Sequence, residues 1–178
     1  MVKRYGCASW PAPPRNPHPL LFNHSPFPIP HSRGKHAAVL AEVAVLPENR
    51  RMSGDKPYDI AISVDTRFLD EQSAPADNRF AFAYTITIAN RGTVGARLLS
   101  RHWVITDENG KVREVRGDGV IGEQPWVRPG ADFEYTSGAV LETACGTMHG
   151  SYQMVADDGT CFDALIPAFV LSTPRTLH

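Results

Sequence analysis

Apolar and polar residues alternate with a period of two along most of the chain after Tyr58. The clearest run spans residues 80–89, where large apolar side chains alternate with Ala and Thr. This alternation is typical of a β-strand with one face on a core. Turn signals such as Asn109-Gly110 separate the runs and favour hairpins between them. We therefore predict an all-β fold without a substantial helix.

The pattern predicts about seven short strands. They begin near Tyr58, Phe80, Leu99, Lys111, Phe133, Met148 and Phe162. Strands of this length and spacing predict an antiparallel β-sandwich of the fibronectin type III or immunoglobulin kind. Leu99, Trp103 and Ile105 should share the core face of one strand, with Trp103 at the centre of the core. Pro167 predicts an edge position or a bulge in the last strand.

The first 51 residues do not show the strand pattern. Eight prolines lie between Pro11 and Pro30, and Pro-rich polar sequence favours an extended, solvated chain. Met52, followed by small polar residues, resembles an ordinary protein start. We therefore predict that residues 1–51 are a disordered or non-native N-terminal extension and that residues 52–178 form the folded domain.

Charge and cysteine content limit the classes of partner. Residues 1–51 carry seven Lys and Arg against two Asp and Glu (+5), and residues 52–178 carry eleven against seventeen (−6). The acidic domain argues against nucleic acid or an anionic membrane as partner, and no stretch reaches transmembrane length. Three cysteines without a CxxC predict neither a zinc site nor a disulfide framework. Cys145 and Cys161 are predicted to be buried thiols.

A GxGxxG pattern at Gly117, Gly119 and Gly122 follows a strand-like run. In a dinucleotide-binding fold a helix must begin at the last glycine, because its N-terminus holds the pyrophosphate. Pro125 and Pro129 exclude that helix.

Two interpretations of the glycine pattern remain open. The glycines can serve a structural loop that needs positive φ or close backbone approach. Alternatively, successive N–H groups can form an anion-binding nest, with Arg116 adding a charge-assisted bond. The candidate phosphate-binding residues are then Gly117, Gly119, Gly122 and Arg116. Asp118 and Glu123 would repel an anion there.

Side chains capable of catalysis or metal binding occur singly or in turns along the chain. No serine lies in a GxSxG motif, and His102 and His149 stand alone on predicted strands. Asp157-Asp158 belongs to a turn because Gly159 follows it. We therefore predict no catalytic residue, no metal ligand and no cofactor.

Several stretches together resemble the ApaG (CorD) family. They are Phe82–Ile88, Leu99–Thr106, Val115–Gly122, Tyr135–Gly138 and Gly146–Tyr152. The resemblance covers about Lys56 to His178. It implies a fibronectin type III-like sandwich in a bacterial cytoplasmic protein, associated with diadenosine tetraphosphate hydrolase operons and with cobalt and magnesium tolerance. Related domains in eukaryotic F-box proteins look like protein-binding modules. The family's proposed phosphate site corresponds to the glycine loop, and no catalytic residues carry over.

We expect a non-enzymatic protein-interaction module with a protein partner. The alternative is a phosphate- or nucleotide-binding domain that uses the GxGxxG loop for a phosphate-bearing ligand. An interaction module should leave an exposed apolar patch or a free sheet edge. A phosphate site should leave several unpaired N–H groups between Gly117 and Gly122. An enzyme would need a pocket with convergent polar groups.

Overall fold

A computed structural model of the chain describes the backbone of residues 4–5 and all of residues 56–174. The described strands are β1 (Arg4–Tyr5), β2 (Ile60–Phe68), β3 (Phe80–Asn90), β4 (Ala96–Asp107), β5 (Val112–Asp118), β6 (Trp126–Val127), β7 (Asp132–Leu141), β8 (Cys145–Ala156) and β9 (Cys161–Ser172). Two single-turn 3-10 helices, Asp70–Gln72 and Pro75–Asp77, connect β2 to β3.

The strands form two antiparallel sheets packed face to face. The larger sheet has the order β1-β9-β8-β4-β5, with β6 beside β4, and the smaller sheet has the order β2-β3-β7. Seven of the described strands are long, and two contain only two residues each. The predicted sandwich of about seven strands is confirmed. Among the described residues no helix is long and apolar enough to cross a membrane.

Aromatic side chains fill the space between the sheets. Trp103 on β4 is only 3% exposed. Its ring centroid lies 5.7 Å from that of Tyr84, 6.3 Å from Tyr152 and 5.9 Å from Phe169. Edge-to-face geometry at these distances adds attraction beyond simple area burial. The predicted central position of Trp103 is confirmed.

The prediction for Leu99 was wrong because β4 contains a bulge. The register of β4 against β8 shifts between Leu98 and Ser100. A bulge inserts one extra residue, so the residues that face the core are even-numbered before it and odd-numbered after it. Leu98 is therefore fully buried and Leu99 only half-buried, whereas Trp103 and Ile105 face the core as predicted.

A second bulge lies in β9. Met148 pairs with Phe169 and Gly150 pairs with Ile166, so three steps along β9 match two along β8. The extra residue lies at Pro167 or its neighbour Ala168. A bulge tolerates proline because the missing N–H interrupts no regular ladder bond. The predicted bulge at Pro167 is confirmed.

The N-terminal segment reaches the domain through β1. Arg4 and Tyr5 pair with Phe162 and Cys161 at the edge of β9. The rest of the predicted extension lies outside the described residues, and the boundary at residue 52 stays a prediction. Cys161 is buried and disulfide-bonded, so the thiol prediction was wrong there. Cys145 is a free, half-buried thiol.

Replacing Trp103 by alanine should strongly destabilise the sandwich. Truncating a buried Trp costs about 3–5 kcal/mol. The matched control is Val104→Ala, one position along the same strand on the opposite face and half-buried, which should cost about 1 kcal/mol or less. The measurement is urea unfolding followed by circular dichroism. Similar losses of unfolding free energy for the two variants would contradict the assignment of Trp103 to the core face of β4 and Val104 to the opposite face.

Candidate functional site: the glycine loop

The glycine loop is a tight hairpin that follows β5. Val120 and Glu123 exchange two backbone hydrogen bonds, N–H of Val120 to O of Glu123 at 2.8 Å and N–H of Glu123 to O of Val120 at 2.9 Å. Between them Ile121 and Gly122 have φ of 45° and 82°. Two successive positive φ values are typical of the type I′ turn. The loop is thus closed by its own backbone.

Glycine is favoured at each of the three positions of the pattern for a different physical reason. A Cβ on Gly117 would lie 3.2 Å from the guanidinium carbon of Arg101, and a Cβ on Gly119 would collide with the carbonyl oxygen of Glu123. A Cβ on Gly122 would meet nothing within 4 Å, so only its φ of 82° favours glycine there. The spacing of the three glycines therefore follows from packing and turn geometry.

The loop uses several of its amides internally. Gly119 donates its N–H to the carbonyl of Leu99 at 2.8 Å, and Val120 and Glu123 donate to each other. An anion-binding nest needs such N–H groups to be free and to point at one ligand. This geometry favours the structural interpretation of the loop. The assignment of phosphate binding to Gly117, Gly119 and Gly122 stays a prediction.

The side chain of Arg101 holds the loop from the core side. Its Nη1 donates to the carbonyl of Asp118 at 2.9 Å and to that of Gly119 at 2.5 Å. Bonds from a charged donor are stronger than neutral ones. The loop thus turns carbonyl oxygens, which repel anions, toward the nearby positive charge. Alternation along the strand puts Arg101 on the same face as Trp103 and Ile105, but no local pattern indicates these hydrogen-bond partners.

The arginines that flank the loop are engaged elsewhere. Arg116 lies on the far side of β5 with Nη2 3.6 Å from the carboxylate of Glu114. That carboxylate also contacts Nε2 of His102 at 2.9 Å. The hydrogen bond from His102 and the nearby charges lower the pKa of Glu114. Arg128 lies over the ring of Trp126, 5.3 Å from its centroid.

The other candidate side chains belong to turns and surface pairs. Asp157 accepts the indole N–H of Trp126 at 2.9 Å. Asp158 accepts the hydroxyl of Tyr58 and the N–H of Thr160, and the Tyr58 bond lowers the pKa of Asp158. Among the described residues no group of three or more His, Cys, Asp or Glu side chains is arranged to hold a metal ion.

A shallow cleft of about 600 Å³ opens near the turn between β7 and β8. Its lining includes Phe80 and the carboxylates of Asp77, Glu108 and Glu142. Lys111 neutralises one of them, because its Nζ lies 3.0 Å from the Glu142 carboxylate. The cleft brings together no nucleophile and base of the kind that covalent catalysis requires.

The strongest pKa shifts fall on buried tyrosines. Burial raises the pKa of Tyr84, Tyr135 and Tyr152, and the neighbouring tyrosines raise those of Tyr135 and Tyr152 further. The hydroxyls of Tyr135 and Tyr152 are 2.6 Å apart and joined by a hydrogen bond inside the core. These hydroxyls therefore stay protonated at neutral pH and satisfy each other within the sandwich.

The fold and the loop together define one class of domain, an antiparallel sandwich with a glycine hairpin after its fifth strand. A family model described as the ApaG domain matches residues 70–156. Protein ApaG of Pseudomonas paraeruginosa is 60% identical over 124 residues, which cover 70% of this chain and 98% of the relative. Protein ApaG of Thiobacillus denitrificans is 62% identical over 127 residues, which cover 71% of this chain and all of the relative. The chain belongs to the ApaG domain family.

A solved structure supports the same assignment. The crystal structure of an ApaA protein from Bordetella pertussis superposes with a TM-score of 0.67 at 49% sequence identity. The match covers 69% of this chain and all of that protein. The resemblance inferred from the sequence motifs is thereby confirmed.

Two alanine substitutions separate packing from turn strain in the loop. Gly122→Ala meets open space, so it should cost only the strain of a left-handed residue, about 1–2 kcal/mol. Gly119→Ala carries the same strain and must also displace the Glu123 carbonyl, so its loss should be larger by at least about 1 kcal/mol. Urea unfolding of the two variants measures the difference. Equal losses would contradict the closed hairpin.

Proposed function

We propose that this domain is a non-enzymatic protein-interaction module that binds through the outer face of its larger sheet. The outer face is the side of β9, β8, β4 and β5 turned away from the core. The observation that carries the proposal is a set of apolar side chains left in solvent there. Leu165 is 70% exposed, Val112 58% and Val170 53%.

The alternation of each strand places these three side chains on one surface. Leu165 precedes the buried Ile166, and Val170 precedes the buried Leu171, so both point away from the core. In register, Val170 pairs with Thr147, Thr147 with Thr106, and Thr106 with Val112. Neighbouring strands lie about 4.8 Å apart. One row of β-branched side chains therefore crosses the sheet from β9 to β5.

Charged side chains lie on both sides of the outer face, since Asp163 on β9 accepts a hydrogen bond from Gln153 of β8 and a second group lies on β5. Glu114 and Arg116 lie on β5 and pair with each other and with His102. The middle of the face carries Val104, the hydroxyl side chains of Thr106, Thr147 and Ser151, and the exposed His149, which pairs in register with Val104. A face that combines exposed apolar side chains with uncharged polar ones can bind another protein.

The resemblance to ApaG proteins extends this proposal. A role in diadenosine tetraphosphate metabolism or in cobalt and magnesium tolerance would, on this account, work through a protein partner in the cytoplasm. The alternative, a phosphate- or nucleotide-binding domain, would depend on the glycine loop. We place it second because Gly119, Val120 and Glu123 donate their amides within the fold.

Site-specific photo-crosslinking in cells tests the proposal. A photoreactive amino acid in place of Leu165 or Val170 should capture a defined protein partner. The control is Ile121, which is 51% exposed at the tip of the glycine loop and should capture none. Leu165→Glu should then abolish capture from position 170, while the unfolding midpoint stays unchanged because the residue is on the surface. Capture from Ile121 alone would contradict the assignment of the face.

A further inference from the structure

We infer that the free edge of β7 binds an extended segment of a partner protein by strand addition, as a fourth strand of the smaller sheet. This inference rests on the proposed function, since the partner is a protein. It concerns a different surface from the outer face, because it uses the backbone of a sheet edge. Three observations on β7 and β5 carry it.

The two sheets differ in width. The smaller sheet has three strands, whereas the larger has four long strands, β9, β8, β4 and β5. At one side β2 lies against β9, since Thr66 donates its hydroxyl to the carbonyl of Val170 at 3.3 Å. Across the core, Tyr135 of β7 bonds to Tyr152 of β8 at 2.6 Å, and at its outer edge β7 meets the Arg113 side chain of β5. Among the described strands none lies opposite β5, which has no fully buried residue.

The orientation of the β7 backbone follows from one contact. Val140 accepts a hydrogen bond at its carbonyl from Nη2 of Arg113 on β5, at 3.1 Å. Its main chain therefore faces away from β3. Main-chain groups alternate in direction along an antiparallel strand, so Glu134, Thr136 and Gly138 also present N–H and C=O at the free edge. Within residues 56–174 no hydrogen bond reaches those three amides.

Between Tyr135 and Ala139 this edge lacks the usual protection against pairing, and Arg113 covers only the carbonyl of Val140. Exposed edges are normally guarded by charges, proline or bulges. On β5 the sequence Val112–Asp118 contains four charged residues, and on β9 the bulge at Pro167 interrupts the edge. Residues 135–141 of β7 contain neither charge nor proline, and the register of β7 with β3 runs unbroken. The edge can therefore template another strand.

A lone extended segment fits this position better than a second copy of the chain. In a second copy of the chain, β7 is again covered by the larger sheet of that copy. If the β7 edges of the two copies paired, the larger sheet of the second copy would therefore collide with β5 of the first. A single strand has no second layer and would lie directly opposite β5. Its inward side chains would meet Val115, and one end would lie beside Arg113.

The recognised segment therefore has a definite chemistry. We expect apolar residues at alternate positions, facing Val115, and an acidic residue at the end next to Arg113. Main-chain hydrogen bonds supply affinity in this mode, and the alternate side chains supply specificity.

Peptide display on the full chain tests the inference. The probe is a random library of peptides about ten residues long, the length of a typical strand. Selected peptides should show the alternating pattern. Thr136→Pro removes one outward amide and should weaken their binding roughly tenfold, as expected for about one lost hydrogen bond to the backbone. The matched control is Val112→Pro, which removes an outward amide from the edge of β5 and should change binding less than about twofold.

Amide exchange on the unmodified protein keeps the test decisive if Thr136→Pro does not fold. Without peptide, the amides of Thr136 and Gly138 should exchange much faster than those of Ser137 and Ala139, which face β3. A selected peptide should slow the first pair. Slow exchange at Thr136 and Gly138 in the free protein, or no change there on binding, would overturn the inference.

The two proposals fail in different ways. If the selected peptides are insensitive to Thr136→Pro but lose binding with Leu165→Glu, the outer face is the docking site and the β7 inference is wrong. If no peptide binds, the β7 inference is wrong. If, in addition, photo-crosslinking at Leu165 and Val170 captures no protein, the proposed function is wrong as well.

Discussion

The hydrogen bonds from Arg101 to the carbonyls of Asp118 and Gly119 tie the glycine loop to the core. Arg101 faces inward because the bulge at Leu99 changes the facing of β4. Its positive charge also lies close enough to the buried tyrosines to oppose, in part, the rise of their pKa values on burial. A side chain on Gly117 would crowd this guanidinium, whose carbon lies 3.2 Å from the Cβ position. The course of the loop thus depends on one half-buried side chain.

Much of the fold could be predicted because strand periodicity is local. Neighbouring residues alone indicate the strand over 80–89, the hairpin at Asn109-Gly110 and the core position of Trp103. Leu99 was misplaced because a bulge leaves the composition of the strand unchanged while reversing its facing. The role of Arg101 also escaped prediction. Its partners lie more than fifteen residues away, and a GxGxxG pattern does not reveal whether its amides are free.

The surfaces that carry the proposed function depend on long-range order. Among the described strands, the strand order leaves β5 without an opposing strand and one edge of β7 unpaired, and no local pattern encodes that order. Leu165 and Val170 share a face only because the bulge at Pro167 separates them. Exposed apolar side chains and an unpaired sheet edge are the features by which a sandwich can recognise another protein.

Nuclear magnetic resonance of the amides in the glycine loop, recorded during titration with pyrophosphate, tests the central claim most directly. On this account Gly119, Val120 and Glu123 already donate to carbonyl oxygens. Their resonances should therefore show no saturable shift, and their exchange with solvent should be slow before pyrophosphate is added. A saturable shift centred on these amides, together with fast exchange in the free protein, would contradict the closed loop. That result would make the glycine pattern a phosphate site.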